Sequence, residues 1–393
     1  MKCILFDETL SPLTGAHNIS TIHQIISMLE SEVLKPTYFD ETESYGKLAG
    51  IVYRLGKTAL LDNVIDHYAY LIQHDYFGHG WRGRENGFRD ISYRLALPLP
   101  YSDGHGKITW RAPDGKVLTS DEHVSTVIGG FDATSALAQL MRFNWMMRGR
   151  IHYREARLYL QSSTDLTTYT LFTKWGLRSS EGNDVTSFIS SVNSRERITI
   201  SPALTLGGLS NQLVINALDP FLFFSLWTLV KSYIWSGDEE FAFPTLCFSN
   251  VKYLPLARLG LTPFGTEMYV ENFISTSSDV VNLYFRLSVG GSHEFWGGGI
   301  EGVPLFESSN VRLRANLAFW KQPPLALDLQ PGSMHNASVN DVFGVSATVV
   351  TFYTLPFESP TIDLVSHIGY KTAGFVQGES LGEGVVLRLG VKF

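Results

Sequence analysis

Residues 281–290 read VNLYFRLSVG. Val281, Leu283, Phe285, Leu287 and Val289 alternate with Asn282, Tyr284, Arg286, Ser288 and Gly290, the period of a β-strand with one apolar and one polar face. The same period returns at 311–320. There Val311, Leu313, Ala315, Leu317 and Phe319 alternate with Arg312, Arg314, Asn316, Ala318 and Trp320. It closes the chain as well, where Val385, Leu387, Leu389, Val391 and Phe393 alternate with Val386, Arg388, Gly390 and Lys392. Weaker strands fit 251–261, 267–274, 294–305, 341–353 and 361–371, so residues 241–393 hold a run of about eight strands separated by turn residues.

Two architectures share this pattern. In a water-soluble sandwich the apolar face is the core and the charges are solvated. In a membrane barrel the apolar face meets lipid and the charges point into the lumen. The polar face here is rich in Arg, Gly, Ser and Asn. Aromatic residues recur near strand ends, at Phe295, Trp296, Phe319, Trp320, Phe352 and Tyr353, as in the aromatic girdles of membrane barrels. On the polar face Arg258, Arg286, Arg312, Arg314, Lys371, Arg388 and Lys392 outnumber Glu267, Glu271 and Asp363. In a narrow barrel these charges interlock; in a wide one they favour anions.

Composition agrees with the membrane alternative. The 393 residues are 44 % hydrophobic and 18 % charged, against about 25 % charged in soluble domains. A net charge of −7 and a pI near 5.9, without a run of Lys or Arg, exclude nucleic acid as the main partner. Cys3 and Cys247 are too few for a disulfide framework or a thiolate metal site, although they can pair once. The N-terminus MKCILFDETL is no secretory leader, so either the protein stays in the cytoplasm or a leader has been removed, and Cys3 could be the remnant of a lipoprotein cleavage site.

A final strand of alternating apolar residues that ends on Phe393 resembles the C-terminal signature of bacterial outer-membrane β-barrels. The resemblance covers roughly the last 140 residues by pattern. It implies export through the periplasm, insertion by the barrel assembly machinery and residence in the outer membrane, with membrane lipid as partner. The expected fold is α+β, a membrane barrel of about eight to twelve antiparallel strands carrying a mostly helical N-terminal region, 1–240. That region is too bulky for the lumen of an eight-stranded barrel, which side chains nearly fill. It must sit at one mouth or add strands to a wider barrel, and 88–99 and 195–201 are the segments able to supply them.

Within residues 1–240, helical periodicity marks 16–35, a helix from about Ser44, and 132–160. Residues around Pro113, Asp114 and Gly115 read as a hairpin turn. Asp219-Pro220 is an N-cap followed by a first-turn proline for the apolar run Phe221–Trp235, which at about fifteen residues falls short of the roughly 20 that cross a bilayer.

The chemistry concentrates in residues 61–85, LDNVIDHYAYLIQHDYFGHGWRGRE. On a regular helix Asn63, His67 and His74 share one face, with Tyr70 beside them and Asp66 at the rim. The helix is expected to end near Gly78, leaving His79 on a turn. The string His74-Asp75-Tyr76-Phe77-Gly78-His79 resembles the H-E-x-x-H helix of zinc peptidases, with Asp75 in place of the Glu. Its histidines stand five apart, about 140° on a regular helix, so they meet only if the helix departs from α geometry. A second face, His152, Glu155 and Tyr159, offers the remaining ligand. The expectation is a zinc site of His67, His74, His79 and Glu155, in which Asp75 takes a proton from water and Arg82 or Tyr159 steadies an oxyanion. The reaction would be metal-dependent hydrolysis of a peptide or lipid near the membrane face. Two other readings stand beside it: the histidines form a buried hydrogen-bonded network in a transport or structural barrel, or they form a metal-free acid/base site. Arg82 and Arg84 either dock an anionic group or pair with Glu85 and Asp90.

Overall fold

The computed structural model describes residues 2–33, 44–113, 116–178, 182–195, 203–276, 278–290, 293–327, 341–356 and 361–393. The chain enters as a short strand, β1 (Cys3–Phe6), followed by α1 (Pro12–Val33) and α2 (Ser44–Lys57). From α2 the helix runs on without a break. A π-helical turn at Thr58–Asp62 leads into α3 (Asn63–Leu71), a longer π-helical segment at Ile72–His79, and α4 (Gly80–Glu85). The helix therefore does not stop at Gly78, as the glycine rule predicts: Gly80 is still right-handed helical, and the run ends at Asn86–Gly87.

A hairpin follows, β2 (Arg89–Leu95) and β3 (Gly106–Arg111), which pair with each other in a sheet of their own. Residues 88–99 thus add no strand to the large sheet. Of 195–201, Arg195 ends a helix and the rest lies outside the described residues. The central helix α5 (Ser120–Arg148) starts on a capping box in which Thr119 and Glu122 satisfy each other's backbone N–H. It stops at Gly149, whose left-handed backbone (φ 70°) closes the helix. This divides the expected 132–160 helix in two, with the pair β4 (Ile151–His152) before α6 (Tyr153–Ser163).

Next come α7 (Asp165–Lys174), α8 (Asp184–Arg195), α9 (Leu206–Gln212) with a 3₁₀ turn at Leu213–Leu218, and α10 (Pro220–Trp227), which continues as a π-helix through Ser236. Asp219 caps α10 as its sequence predicts, its carboxylate accepting from Phe221 N. No single described helix is long and apolar enough to cross a membrane. Leu206–Leu218 and Pro220–Ser236 pass that test only as a pair bent by 68°.

β5 (Glu240–Phe241) pairs with β4, and the remaining strands are β6 (Leu246–Phe248), β7 (Val251–Thr262), β8 (Gly265–Ser275), β9 (Val280–Gly290), β10 (Trp296–Glu307), β11 (Val311–Gln322), β12 (Val342–Thr354), β13 (Asp363–Lys371) and β14 (Gly384–Lys392). They form one ten-stranded antiparallel sheet in the order β1-β14-β13-β12-β11-β10-β9-β8-β7-β6. β1 joins by pairing Cys3 with Lys392 and Phe6 with Leu389, so the N-terminal region shares the sheet with the C-terminal strands. Among the described residues the outermost strands β1 and β6 do not pair, and the sheet is not a closed barrel.

One face of the sheet is covered by helices, chiefly α5. Trp145, Tyr159 and Phe221 from the helices share a core with Leu254, Phe273 and Val280 from the strands. At one end, Val185 and Phe188 of α8 share a second core with Phe264, Phe295 and Phe375, which come from three connections between strands. Beside these apolar residues, buried polar and charged ones also sit on the covered face, while the other face is apolar. Arg286 and Arg388 are buried, while Phe285, Leu287, Leu387 and Leu389 beside them are about half exposed. The cations on the covered face are paired. Arg258 bonds Glu271, Arg286 bonds Glu267, Arg312 and Lys392 bond Asp363, and Arg388 bonds Glu379. Lys371 donates to the carbonyls of Thr372 and Gly374. Of the six aromatics expected at strand ends, Trp296, Phe319 and Tyr353 lie on the open face, whereas Phe295, Trp320 and Phe352 are buried. Cys3 is buried, Cys247 is exposed, and both are free thiols.

Candidate metal centre

The π-helical winding of Ile72–His79 decides what its histidines can do. In a π-helix the backbone bonds run from i to i+5, so residues five apart stack on one face. The spacing that separates His74 from His79 on an α-helix here brings them together. Their Nε2 atoms lie 3.2 Å apart, and both side chains are buried.

The other ring nitrogens are committed. His79 Nδ1 lies 2.7 Å from the carbonyl oxygen of Thr126 on α5, which only accepts, so this nitrogen carries the proton. His74 Nδ1 lies 2.8 Å from Asp165 Oδ2, a carboxylate that also takes the Tyr70 hydroxyl at 2.6 Å and has Thr134 Oγ1 2.9 Å away. With both Nδ1–H groups engaged, two neutral imidazoles present lone pairs to each other across 3.2 Å. That arrangement holds only if a cation, a proton or a metal ion, sits between them. Asp184, at the first turn of α8, completes the group, with Oδ2 3.4 Å from His79 Nε2 and 3.7 Å from His74 Nε2. The three donor atoms lie within 4.8 Å of one another and can hold a metal ion. The partners of the two Nδ1 atoms, a carboxylate and a backbone carbonyl, are those that orient metal-binding histidines.

Close helix packing makes room for the rings. A Cβ on Gly130 of α5 would stand 2.3 Å from His74 Nε2, and one on Gly78 would stand 2.5 Å from the Gly129 carbonyl oxygen. The backbones of the π-segment and α5 touch here, and His74 lies flat against Gly130. Phe131 and Tyr169 line the ring, edge-on at 5.4 Å and stacked at 6.5 Å. The Asp184 side chain is 23 % exposed, and this is the side on which the group meets solvent.

Charge follows the geometry. Burial draws the His74 pKa down, but Asp165 and Asp184 outweigh it and hold the value well above the ordinary one. His79 is likewise raised, burial being opposed by Asp184. Burial pushes Asp184 up, yet the two histidines hold it below the usual carboxylate range. Asp75, between the histidines in sequence, is raised by burial against the lowering influence of His74 and His79. Its Oδ2 has no hydrogen-bond partner and faces Gly106, where a Cβ would stand 1.9 Å away.

Comparison of the chain with family models, curated proteins and solved structures gives no match. Function rests on the site itself.

Of the expected ligands, the structure brings together His74 and His79 and leaves out His67 and Glu155. His67 lies on α3, and the change of winding at Ile72 breaks the seven-residue register that would align it with His74. Its Nε2 is unpartnered near Gly104. Glu155 is consumed elsewhere: Oε2 accepts from Trp145 Nε1 at 2.8 Å and from Arg148, and Oε1 from Gln24 at 3.1 Å. His152 caps α6. Tyr159 bonds Asp219 and Arg142, in a buried network away from the histidines. Arg82 bonds Glu85 and Asp132 and stacks on Trp81 at 3.9 Å. Arg84 donates to the carbonyls of Thr9, Leu10 and Tyr76 and to the Tyr93 hydroxyl, and Asp90 is not its partner. The residues that the sequence reading missed are Asp184 and Asp165. Each stands in the first turn of a helix, after Asn183 and Thr164, a common place for an acid, and no spacing ties either to the histidines.

Proposed function

We propose that the protein is a membrane-embedded, metal-dependent hydrolase whose centre is His74, His79 and Asp184, acting on a peptide or lipid near the membrane face. The observation that carries the proposal is the facing pair of Nε2 lone pairs, each fixed by a committed Nδ1–H. Two histidines and one carboxylate leave open positions, as in catalytic zinc sites, and zinc is the metal proposed. Held by His74, His79 and Asp184, zinc would lower the pKa of a coordinated water toward about 7. Asp75 then has the role of proton acceptor: it is buried, unpartnered at Oδ2 and raised above the ordinary carboxylate value, which makes it a better base near neutral pH. Asp165 and the Thr126 carbonyl orient the two histidines.

The membrane setting is supported by the inverted polarity of the sheet, with paired charges on the covered face and Leu, Val and Phe on the open one. Two rows of exposed aromatics support it further: Trp296, Phe319, Phe343 and Tyr370 near one end of the strands, and Phe306, Tyr353 and Phe393 near the other. Phe343 and Tyr353 are ten residues apart on β12. At about 3.3 Å per residue and a tilt near 40° this spans ~25 Å, the height of an outer-membrane apolar band.

The test is Asp75→Asn, assayed on a fluorogenic acyl-ester lipid and on an unfolded protein substrate. The proposal expects full metal content with turnover of one of them reduced by about 10²–10⁴-fold. Equal turnover in the variant, or no hydrolysis by the parent protein, contradicts it. A second reading, a membrane protein without catalysis, is favoured by the ion pairs that use up most of the charges on the covered face, such as Arg258–Glu271, Arg286–Glu267 and Arg388–Glu379. It expects His74→Ala to lower stability while both assays stay at background.

A further inference from the structure

The sheet stops short of a barrel, yet neither of its edges is bare. On β1, Cys3 N donates to Thr21 Oγ1 and Thr21 Oγ1 donates back to Cys3 O, each at 2.7 Å. Leu5 N donates to Asn18 Oδ1 at 2.8 Å, and Asn18 Nδ2 donates to Leu5 O at 2.9 Å. Side chains of α1 thus take the ladder positions that a next strand would fill. At the other edge β6 covers only the start of β7, and further along Leu259 N donates to Asn216 Oδ1 of the 3₁₀ turn at 2.7 Å. Satisfying an edge with a helix removes the unpaired groups that hydrocarbon would not tolerate.

Between these edges the described residues link helix to helix. Glu30 of α1 bonds Lys57 of α2 at 2.6 Å. Arg54 of α2 donates to the carbonyl of Ile234 at 3.1 Å, and Lys47 lies over the Trp235 ring at 5.5 Å. Residues 206–236 then lead back to β7 through Asn216.

These helices have the sheet's polarity. Lys57, Asp62, Asp66, Arg154 and Arg157 pair with one another in the interior. The outside exposes Leu48, Val52 and Leu55 on α2, then Leu60 and Leu61. It also exposes Phe223, Leu226, Trp227 and Val230, at offsets 0, 3, 4 and 7 on one helical face. Pro220–Ser236, eight α-helical and nine π-helical residues, is at most ~25 Å long at the α-helical rise of about 1.5 Å per residue and somewhat shorter where it is π-wound, comparable with the band on the strands.

We infer that α1, α2 and the Leu206–Ser236 pair close the wall between β1 and β7 and carry its lipid-facing belt across the gap, so that bilayer hydrocarbon contacts helices on one side of the molecule and strands on the other. The inference rests on the membrane setting proposed above. A water-exposed arrangement would leave half-exposed Leu, Val, Phe and Trp around the whole perimeter, over buried ion pairs. A second protein copy would have to match a strand surface and a helical surface at once. Lipid is the one occupant that fits both.

The experiment uses the full chain with Cys247→Ser, reconstituted in phosphatidylcholine–phosphatidylglycerol vesicles. Single spin labels are placed through Val345→Cys and Leu387→Cys on the strands and through Val52→Cys and Leu226→Cys on the helices. Oxygen, which concentrates in hydrocarbon, and a water-soluble nickel chelate serve as relaxants. The inference expects oxygen to relax all four labels more than nickel does. Strand labels that favour oxygen beside helix labels that favour nickel overturn it and leave the membrane setting intact. Four labels that favour nickel overturn both. Helix labels that are immobile and reached by neither relaxant show a protein partner in place of lipid, and also overturn it.

Discussion

Replacing Gly130 by alanine adds one methyl group and separates the two accounts of the histidine pair. The new Cβ would stand 2.3 Å from His74 Nε2 and 2.5 Å from Cδ2 and Cε1, far inside van der Waals contact. Neither backbone can retreat, because Gly78 and Gly129 already touch at the same crossing. The ring must therefore swing out, which breaks its bond to Asp165 and removes one of three ligands. Losing a partner that merely orients a ligand costs about 10–100-fold in metal affinity, so loss of His74 itself is expected to cost at least ~100-fold, or about 2.7 kcal/mol. For the metal-free fold the effects oppose: alanine in place of glycine within a helix contributes about 1 kcal/mol, and the lost charge-assisted bond costs about 1.5–3 kcal/mol. The assay is a zinc titration against a competing chelator, with urea unfolding of the chelated protein as control. A variant that binds zinc as tightly as the parent refutes the reasoning, because His74 would then not be a ligand.

Asp165→Asn keeps the shape but replaces the carboxylate that orients His74, and zinc affinity should fall by about 10–100-fold with the fold retained; an unchanged dissociation constant argues against the assigned ring orientation. Metal uptake should release protons, because His74 and His79 hold theirs above the ordinary value near 6.5, so zinc affinity should rise with pH through that raised range. For the chelated protein the linkage runs the other way: a raised histidine pKa stabilises the fold fully below about pH 6.5 and the contribution fades as pH rises through the folded values, which a series of urea midpoints will show. Glu155→Gln should leave zinc content untouched and lower stability by about 1–3 kcal/mol, since its carboxylate serves Arg148, Trp145 and Gln24; loss of metal in this variant would restore Glu155 as a ligand.

The strands were the most legible part of the sequence. Period two at 281–290 and 311–320 falls within β9 and β11, and that at 385–393 within β14 except for Phe393, because alternation is set locally by the pleat. Direction at strand ends was less so. Phe319 and Trp320 both stand near the end of β11 as girdle candidates, but alternation puts them on opposite faces, and Trp320 is buried on the covered one, paired with Gly344. The helix ending called at Gly78 failed because that glycine serves a close approach to Gly129 rather than a turn. The His74–His79 spacing showed that regular winding would not bring the rings together. It could not show that the segment would wind as a π-helix, since i to i+5 bonding has no sequence signature of its own. Asp184 was invisible for a related reason: 105 residues separate it from His79, and only the packing of α8 on α5 joins them.

X-ray absorption at the metal edge of the purified, metal-loaded protein, with elemental analysis beside it, tests the centre most directly. The account predicts one equivalent of zinc with two histidine nitrogens at about 2.0–2.1 Å and carboxylate or water oxygen completing the shell. It also predicts loss of one imidazole in His79→Ala and loss of oxygen scattering in Asp184→Ala. Substoichiometric metal, or a shell unchanged in His79→Ala, contradicts it.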